Sequence, residues 1–357
     1  MFRPDTIDFF RALLDAPGPA GAELAAARVW RREAATFAHV DADTMGNSVA
    51  VVNPQGTPTI LLAAHIDEIG IMITTIDDAG FCGFNLIGGW DTSVLVGQRV
   101  RLLTKHGEIL GVIGRKPTHQ LAEDGEEEDV PTLRYLWIDI GASSGDEARA
   151  MVRVGDPGIL DARALKLRHN RVVSRALDNR LGAFVVLEAA RRYARTPGAA
   201  RLLVAATVQE EIDRALSGAW ATATATQPAV AFVVDTAHAN DAPDSDLLPF
   251  TPAHPLESGP VIGRGAGISP VVVDLLEQTA ESLSLPYTRE ACPTTTGGDA
   301  DSVAIARTGL PTGLVEIPLR YMHTPNEMAS LLDVEATTVL LAAVCRRIST
   351  ATDFVLR

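Results

Sequence analysis

Apolar residues fall into two patterns along this chain. The first is a set of short unbroken runs: "TILLAAHID" from residue 59, "RLLVAATVQ" over 201–209, "AVAFVVDT" over 229–236 and "TGLVEIP" over 312–318. Runs of this length without polar alternation suit strands buried on both faces. The second pattern has helical spacing. It appears in "RLGAFVVLEAARRYA" (180–194), "SPVVVDLLEQTAESL" (269–283) and "LLDVEATTVLLAAVCRRI" (331–348). Near the start, Ile7, Phe10, Leu13 and Leu14 share one helical face. "APGPAG" then breaks the pattern, and a second helical stretch runs from Glu23 to about Glu33. This alternation predicts an α/β fold with a mixed, mostly parallel sheet flanked by helices.

Between about 70 and 170 the texture changes. "GFCGFNLIGGWDTSVLVGQRVRLLTKHGEILGVIG" holds short β-type runs, each closed by Gly or a turn pair. We therefore expect a small β-barrel domain, residues 70–165, inserted into an α/β domain made of residues 1–69 and 166–357. The acidic run "AEDGEEEDVP" inside it reads as a solvated loop.

Composition narrows the function. The chain has 357 residues, 46% hydrophobic and 21% charged, which suits a soluble globular protein. A net charge of −14 argues against a nucleic-acid partner, which wants a basic face. Cys82, Cys292 and Cys345 are odd in number and widely spaced, so no disulfide framework or zinc ribbon is expected. A reducing cytoplasm is the expected location. The N-terminal "MFRPDTIDFFRALLDAPG" lacks the apolar core of a signal peptide, and no run has transmembrane length, so no membrane partner is expected.

The candidate chemistry sits where the apolar runs stop. His65 follows "ILLAA", Glu210 and Glu211 follow "RLLVAATVQ", Asp235 follows "AFVV", and His323 comes just after the last run. In an open parallel sheet the carboxyl ends of the strands share one edge, where ligands bind. These residues would therefore meet. Asp178, just before a helical run, suits either an ordinary N-cap or a carboxylate bridging two metal ions. Asp67 stands two residues from His65, on the same face of an extended chain, and suits the carboxylate that orients a metal-bound imidazole. His39, His106, His169 and His254 read as surface or structural, and His119 and His238 as ambiguous. Mixed imidazole and carboxylate donors without thiolate favour Zn, Co or Mn. A two-metal site fits His65, His323, Asp178, Asp235 and Glu211 as ligands, with Glu210 left as the base. Neighbouring residues of an extended chain point to opposite sides, so adjacent glutamates can divide those tasks.

These residues lie in stretches that resemble a known family. "APGPAGAE", "AAHIDEIGIMI", "GVIGRKPTH", "DIGASSGDEA", "ALDNRLGAFVVLEA", "TVQEE" and "GGDADSVAIARTGLPTGLVEIPLRYMHTPNE" look like the dinuclear metallo-aminopeptidases that include glutamyl, deblocking and tetrahedral (TET) aminopeptidases. The resemblance runs nearly end to end. It implies a zinc-exopeptidase-like fold and two divalent ions per subunit, Zn first and Co or Mn as alternatives. It further implies that His65, Asp178 and Asp235 hold one metal, and that Asp178, Glu211 and His323 hold the other. Glu210 is then the general base and Asp67 the partner of His65. The implied substrates are short peptides with a free N-terminus. The inserted β domain would shape a homo-oligomer, a dodecamer or a dimer.

Three departures from the family pattern stand out. Asn179 replaces a second acid after Asp178. "IDRALSGAW" follows "TVQEE" where a Val-Gly pair is usual, and "GGDADSVAIAR" differs from the usual form of that Gly-rich segment. Two other readings compete: an endoglucanase-type glycosidase, and a catalytically impaired homologue acting as a scaffold. Arg320 suits either a substrate-binding role or a structural ion pair.

Overall fold

A computed structural model describes residues 2–117, 130–212, 217–243 and 252–356. His119, residues 122–129 of the acidic run and residues 213–216 of the altered loop lie outside them. The helices are α1 (Pro4–Asp15), α2 (Leu24–Ala34), α3 (Gly145–Met151), α4 (Leu177–Arg195), α5 (Gly218–Thr226), α6 (Pro270–Ser282), α7 (Asp299–Ala304) and α8 (Leu331–Arg347). The strands before the insertion are β1 (His39–Ala42), β2 (Ser48–Val52) and β3 (Thr59–His65). Those within it are β4 (Gly70–Ile76), β5 (Cys82–Ile87), β6 (Arg99–Thr104), β7 (Gly107–Arg115), β8 (Leu136–Asp139) and β9 (Pro157–Leu160). After it come β10 (Leu165–Lys166), β11 (Arg171–Ser174), β12 (Arg201–Thr207), β13 (Val230–His238), β14 (Val261–Gly265), β15 (Thr288–Cys292), β16 (Thr312–Arg320) and β17 (Glu327–Ser330).

The four apolar runs form the middle of the main sheet, β12-β3-β13-β16, all parallel. Residues 60–64 of β3 are fully buried, as strands covered on both faces must be. Antiparallel pairs extend the sheet on either side, β1-β2 beyond β12 and β17-β11-β10 beyond β16, which makes it mixed. α4 packs on β3, β12 and β13 and against α8. Gly182 lets it approach closely, because a Cβ there would stand 2.9 Å from the Ala64 Cβ. α5 and α7 touch one another, α5 lying on β3 and β12 and α7 on β13 and β16.

Strands β4 to β9 close a barrel in the order β4-β5-β8-β7-β6-β9. It has a core of its own, built on Ile71, Ile73, Phe84, Val100, Leu102, Ile113 and Ile138. The chain leaves the main sheet at His65 and enters the barrel at Gly70, so the barrel hangs directly beside the end of β3.

That junction is held by buried charge. Glu68 is paired with both Arg175 and Arg180, all three almost wholly buried. Glu68 Oε1 also accepts the Gly18 N–H at 2.9 Å. Arg180 donates to the carbonyls of Ile66 (3.1 Å), Leu13 (3.0 Å) and Ala16. Arg175 and Arg101 of the barrel both reach the Asp15 carbonyl, at 3.0 and 3.1 Å. One cluster therefore ties α1, the end of β3, the start of α4 and the barrel. Breaking a buried pair by removing one partner leaves the other charge uncompensated. Arg180→Ala is expected to lower stability by about 3–5 kcal/mol, read from the denaturant midpoint of the purified protein. A midpoint equal to that of the wild type would contradict this role.

Candidate metal centre

The parallel register brings the strand-end residues together. His65 closes β3 and pairs with Thr207 on β12. Glu210 and Glu211 follow three and four residues later. On β13, Val233 pairs with Ala63, so Asp235 stands level with His65 two residues on. The strand does not stop at Asp235, as the apolar run suggested, but continues to His238 beside β16. His323 lies in the turn between β16 and β17, and Asp178 in the first turn of α4. The N-cap alternative for Asp178 is not what the fold uses. Its backbone is non-helical (φ −78°, ψ 109°), Ala176 holds the cap position, and no side chain caps the helix. The Asp178–Asn179 peptide is cis.

The Asp178 carboxylate stands between two imidazoles. Its Oδ1 is 3.4 Å from His65 Nε2 and its Oδ2 3.5 Å from His323 Nε2. On the His65 side, Nε2 is 3.8 Å from both Glu210 Oε2 and Asp235 Oδ1. On the other side, His323 Nε2 is 3.4 Å from Glu211 Oε2. The adjacent glutamates thus face different imidazoles. His65 is 2% exposed, whereas the His323 side chain is 36% exposed, so the site opens on the His323 side.

These atoms suit a cation. His65, Asp178 and Glu211 each offer a donor atom within 4.8 Å of the others. Asp178 Oδ1 and Glu211 Oε1 are buried without a hydrogen-bond partner, a condition that costs about 1–3 kcal/mol per group unless something else binds them. The donor set is nitrogen and carboxylate oxygen with no sulfur, which suits a divalent ion such as zinc. Gly298 keeps the space clear, since a Cβ there would lie 2.6 Å from Asp235 Oδ2.

The electrostatics without a cation agree. Burial, reinforced by neighbouring carboxylates, outweighs the pull of His65 and pushes the Glu210 carboxyl up to about 9. Burial likewise lifts Asp235 to about 8 and Glu211 to about 7. Burial also works on Asp178, but the adjacent imidazoles of His323 and His65 outweigh it and hold this carboxyl below the usual range. Hydrogen bonds to Asp178 and Glu211 carry His323 up to about 11. For His65, burial opposes the charged form, yet Asp178 and Asp67 win and raise it well above its ordinary value. The cluster holds protons where a positive charge is missing.

A second set of residues holds the first in place. Asp67 lies 3.5 Å from His65 Nδ1, as its spacing suggested, and it also accepts the backbone N–H groups of Glu210 (3.2 Å) and Glu211 (3.0 Å). Asn179, the departure after Asp178, is fully buried and hydrogen-bonded through both ends. Its Nδ2 donates to the Val234 carbonyl at 2.8 Å and its Oδ1 accepts from the Gly182 N–H at 3.0 Å. An ionised Asp could not make the first of these bonds. Sequence reasoning missed Asp299 and Glu327. Asp299 accepts from Thr207 Oγ1 (2.9 Å) and Ser217 Oγ (2.5 Å), gripping both ends of the segment that carries the two glutamates. Glu327 accepts from the backbone of both Asp178 and His323. Both lay inside stretches that looked familiar, but nothing in their spacing marks them apart from surface acids.

A cavity of about 300 Å³ opens over the site, lined by His65, Asp178, Glu210, Glu211, Asp235 and His323. A second, of about 470 Å³, adjoins it across Glu210 and Gly297 and extends along Thr294, Thr295, Asp299 and Ser302. Arg320 is a structural pair, bound to Asp241 by two contacts of 2.6 Å. His254 is buried against Thr288 Oγ1 at 2.7 Å, and His39 pairs with Asp41 on the surface.

The chain as a whole is similar to known proteins. A family model described as M42 glutamyl aminopeptidase matches residues 46–340. A putative aminopeptidase of Acetivibrio thermocellus is 36% identical over 314 residues, 86% of this chain and 88% of the relative. Among solved structures, a TET aminopeptidase from the marine sediment archaeon Thaumarchaeota archaeon SCGC AB-539-E09 superposes with a TM-score of 0.91 at 30% identity, covering 97% of both chains. The TET1 peptidase of Pyrococcus horikoshii, which can assemble into a tetrahedron or a large octahedral shell, matches with a TM-score of 0.84 at 29% identity. That match covers 96% of this chain and all of the other.

The pKa shifts fix the pH response of the cation-free protein. Glu210, Glu211 and Asp235 keep protons in the fold that the unfolded chain releases near 4 to 4.5. The native state then binds more protons, so stability falls as pH rises. The raised histidines act in the same direction above their ordinary value of 6.5. The lowered Asp178 acts oppositely, but only below its ordinary 3.8. The melting temperature of chelator-treated protein should therefore drop between about pH 5 and 9, and added zinc should flatten that slope. A melting temperature that rises over this range would contradict the assignment.

Proposed function

The chain belongs to the M42 glutamyl aminopeptidase family, and on that premise we propose that it is a metal-dependent aminopeptidase releasing N-terminal residues from short peptides at a dinuclear site. One observation carries this reading: a single buried carboxylate, Asp178, presents one oxygen to His65 and the other to His323. In this assignment His65, Asp178 and Asp235 would hold one divalent ion, Asp178, Glu211 and His323 would hold the other, and Asp178 would serve both. Zinc fits the donor set best, and cobalt or manganese would also bind.

The ions, when bound, polarise the scissile carbonyl and lower the pKa of a water. Glu210 is the acid at the site left outside the ligand set. It takes a proton from the attacking water as the carbonyl carbon gains its new C–O bond, and passes that proton to the peptide nitrogen as the C–N bond breaks. The products are a free amino acid and the shortened peptide. At its cation-free value of about 9, Glu210 would be protonated at neutral pH and could accept nothing. A nearby positive charge would favour the ionised form of Glu210 that a base needs. Asp67 keeps His65 turned with Nε2 toward the site and holds the backbone of both glutamates.

The full set of imidazoles and carboxylates supports an enzyme over a scaffold. Two imidazoles flanking a bridging carboxylate have no role in a two-carboxylate glycosidase. We assign residues 70–165 to assembly, because the barrel has its own core and exposes Leu110 and Val112. A homo-oligomer is the expected state, a dodecamer by analogy with the TET structures, or a dimer. A cytoplasmic location fits the three free, buried cysteines.

Glu210→Gln should keep its metal content yet lose about 10²–10⁴ in kcat on aminoacyl anilides. Asp178→Asn should lose metal as well as activity. Metal analysis and kinetics on the same preparations separate the two. Wild-type turnover by Glu210→Gln would remove the base from the scheme.

A further inference from the structure

β11 and β17 pair antiparallel with Ser174 opposite Glu327. From that rung the chain runs four residues on to Asp178 and four residues back to His323. The antiparallel pair therefore delivers both residues to one edge of the sheet from opposite directions. What fixes them there is the Glu327 side chain, itself 2% exposed. Its Oε2 accepts the Asp178 N–H at 3.0 Å and its Oε1 accepts the His323 N–H at 2.9 Å.

The backbone at both contacts needs support. His323 has φ 60° and Tyr321, two residues earlier, also has φ 60°. This left-handed region is rarely taken by residues with a Cβ and costs of order 1 kcal/mol or more per position. Ala176, just before Asp178, is likewise left-handed at φ 57°. A carboxylate satisfied by two backbone donors can hold two such segments in one geometry. No other side chain is hydrogen-bonded to either of these two N–H groups among the described residues.

We propose that Glu327 is the positioning residue of the metal centre. By clamping the backbones of Asp178 and His323 to one buried carboxylate, it presets the bridging and terminal donors, and so sets metal affinity without touching substrate. This rests on the dinuclear reading given above. Such outer partners are commonly worth about 10–100-fold in metal affinity. Glu327→Gln is an informative change, because its amide NH₂ must face one of the two N–H donors and lose that bond.

The test measures zinc binding to chelator-stripped protein by calorimetry, then peptidase rate against zinc concentration. Glu327→Gln should bind zinc about 10–100-fold more weakly, and excess zinc should recover much of its rate. Glu327→Asp, which keeps both acceptors but withdraws them by one methylene, should fall between. If Glu327→Gln does not fold, Glu327→Asp carries the test alone. Wild-type zinc affinity in either folded variant overturns the proposal, as does a rate that excess zinc cannot raise. Should the wild type itself cleave no peptide, the catalytic reading fails, while weaker zinc binding in the variants still upholds the clamp.

Discussion

Like charge packed into a buried space is the constraint on which this structure turns. Asp178, Glu210, Glu211 and Asp235 converge on two imidazoles at the edge of a sheet whose strands are covered on both faces. Among the described residues, no Lys or Arg lines the cavity they form. In a low-dielectric surrounding, such a group must either keep protons or bind cations. Only the second would leave Glu210 ionised at neutral pH, as the proposed base must be. The burial of the site thus favours a cation independently of any likeness to other proteins.

A cluster that repels itself has to be held by its surroundings, and here the holding is layered. Asp67 fixes His65 and the backbone of both glutamates. Asp299 grips Thr207 and Ser217 on either side of them. Glu327 joins Asp178 to His323. Behind these lies the Glu68–Arg175–Arg180 cluster, which fixes the end of β3 against α4 and brings the barrel up beside the site. Each of these carboxylates is matched by backbone, hydroxyl or guanidinium donors, so each is satisfied. The acids of the site itself include buried oxygens that are not.

Much of this was legible in the sequence, for identifiable reasons. Strands buried on both faces must be continuously apolar, so "ILLAA" and "AFVV" announce themselves and the polar residues that end them draw the eye. Parallel topology then makes those ends converge. The antiparallel wings, β1-β2 and β10-β11-β17, were not read, because short half-buried strands such as "HVDA" and "EMAS" carry no pattern strong enough to stand out. Asp178 was ambiguous because an acid before a helix normally caps it, and only its non-helical backbone shows that it does something else. Glu327 and Asp299 went unread because their work is done on backbone and hydroxyl donors brought in from distant segments. Arg320 could have faced substrate or a partner, and only the fold reveals Asp241 against it.

The central claim is that one carboxylate, Asp178, is shared by two ions held in different ligand sets. Anomalous diffraction from zinc-soaked crystals, recorded on both sides of the zinc edge, tests it most directly. The account predicts two peaks per chain, one beside His65 and Asp235 and the other beside Glu211 and His323, with an Asp178 oxygen on each and Glu210 on neither. A single peak at full zinc saturation, or a Glu210 oxygen in place of Asp178 as the bridge, would contradict it.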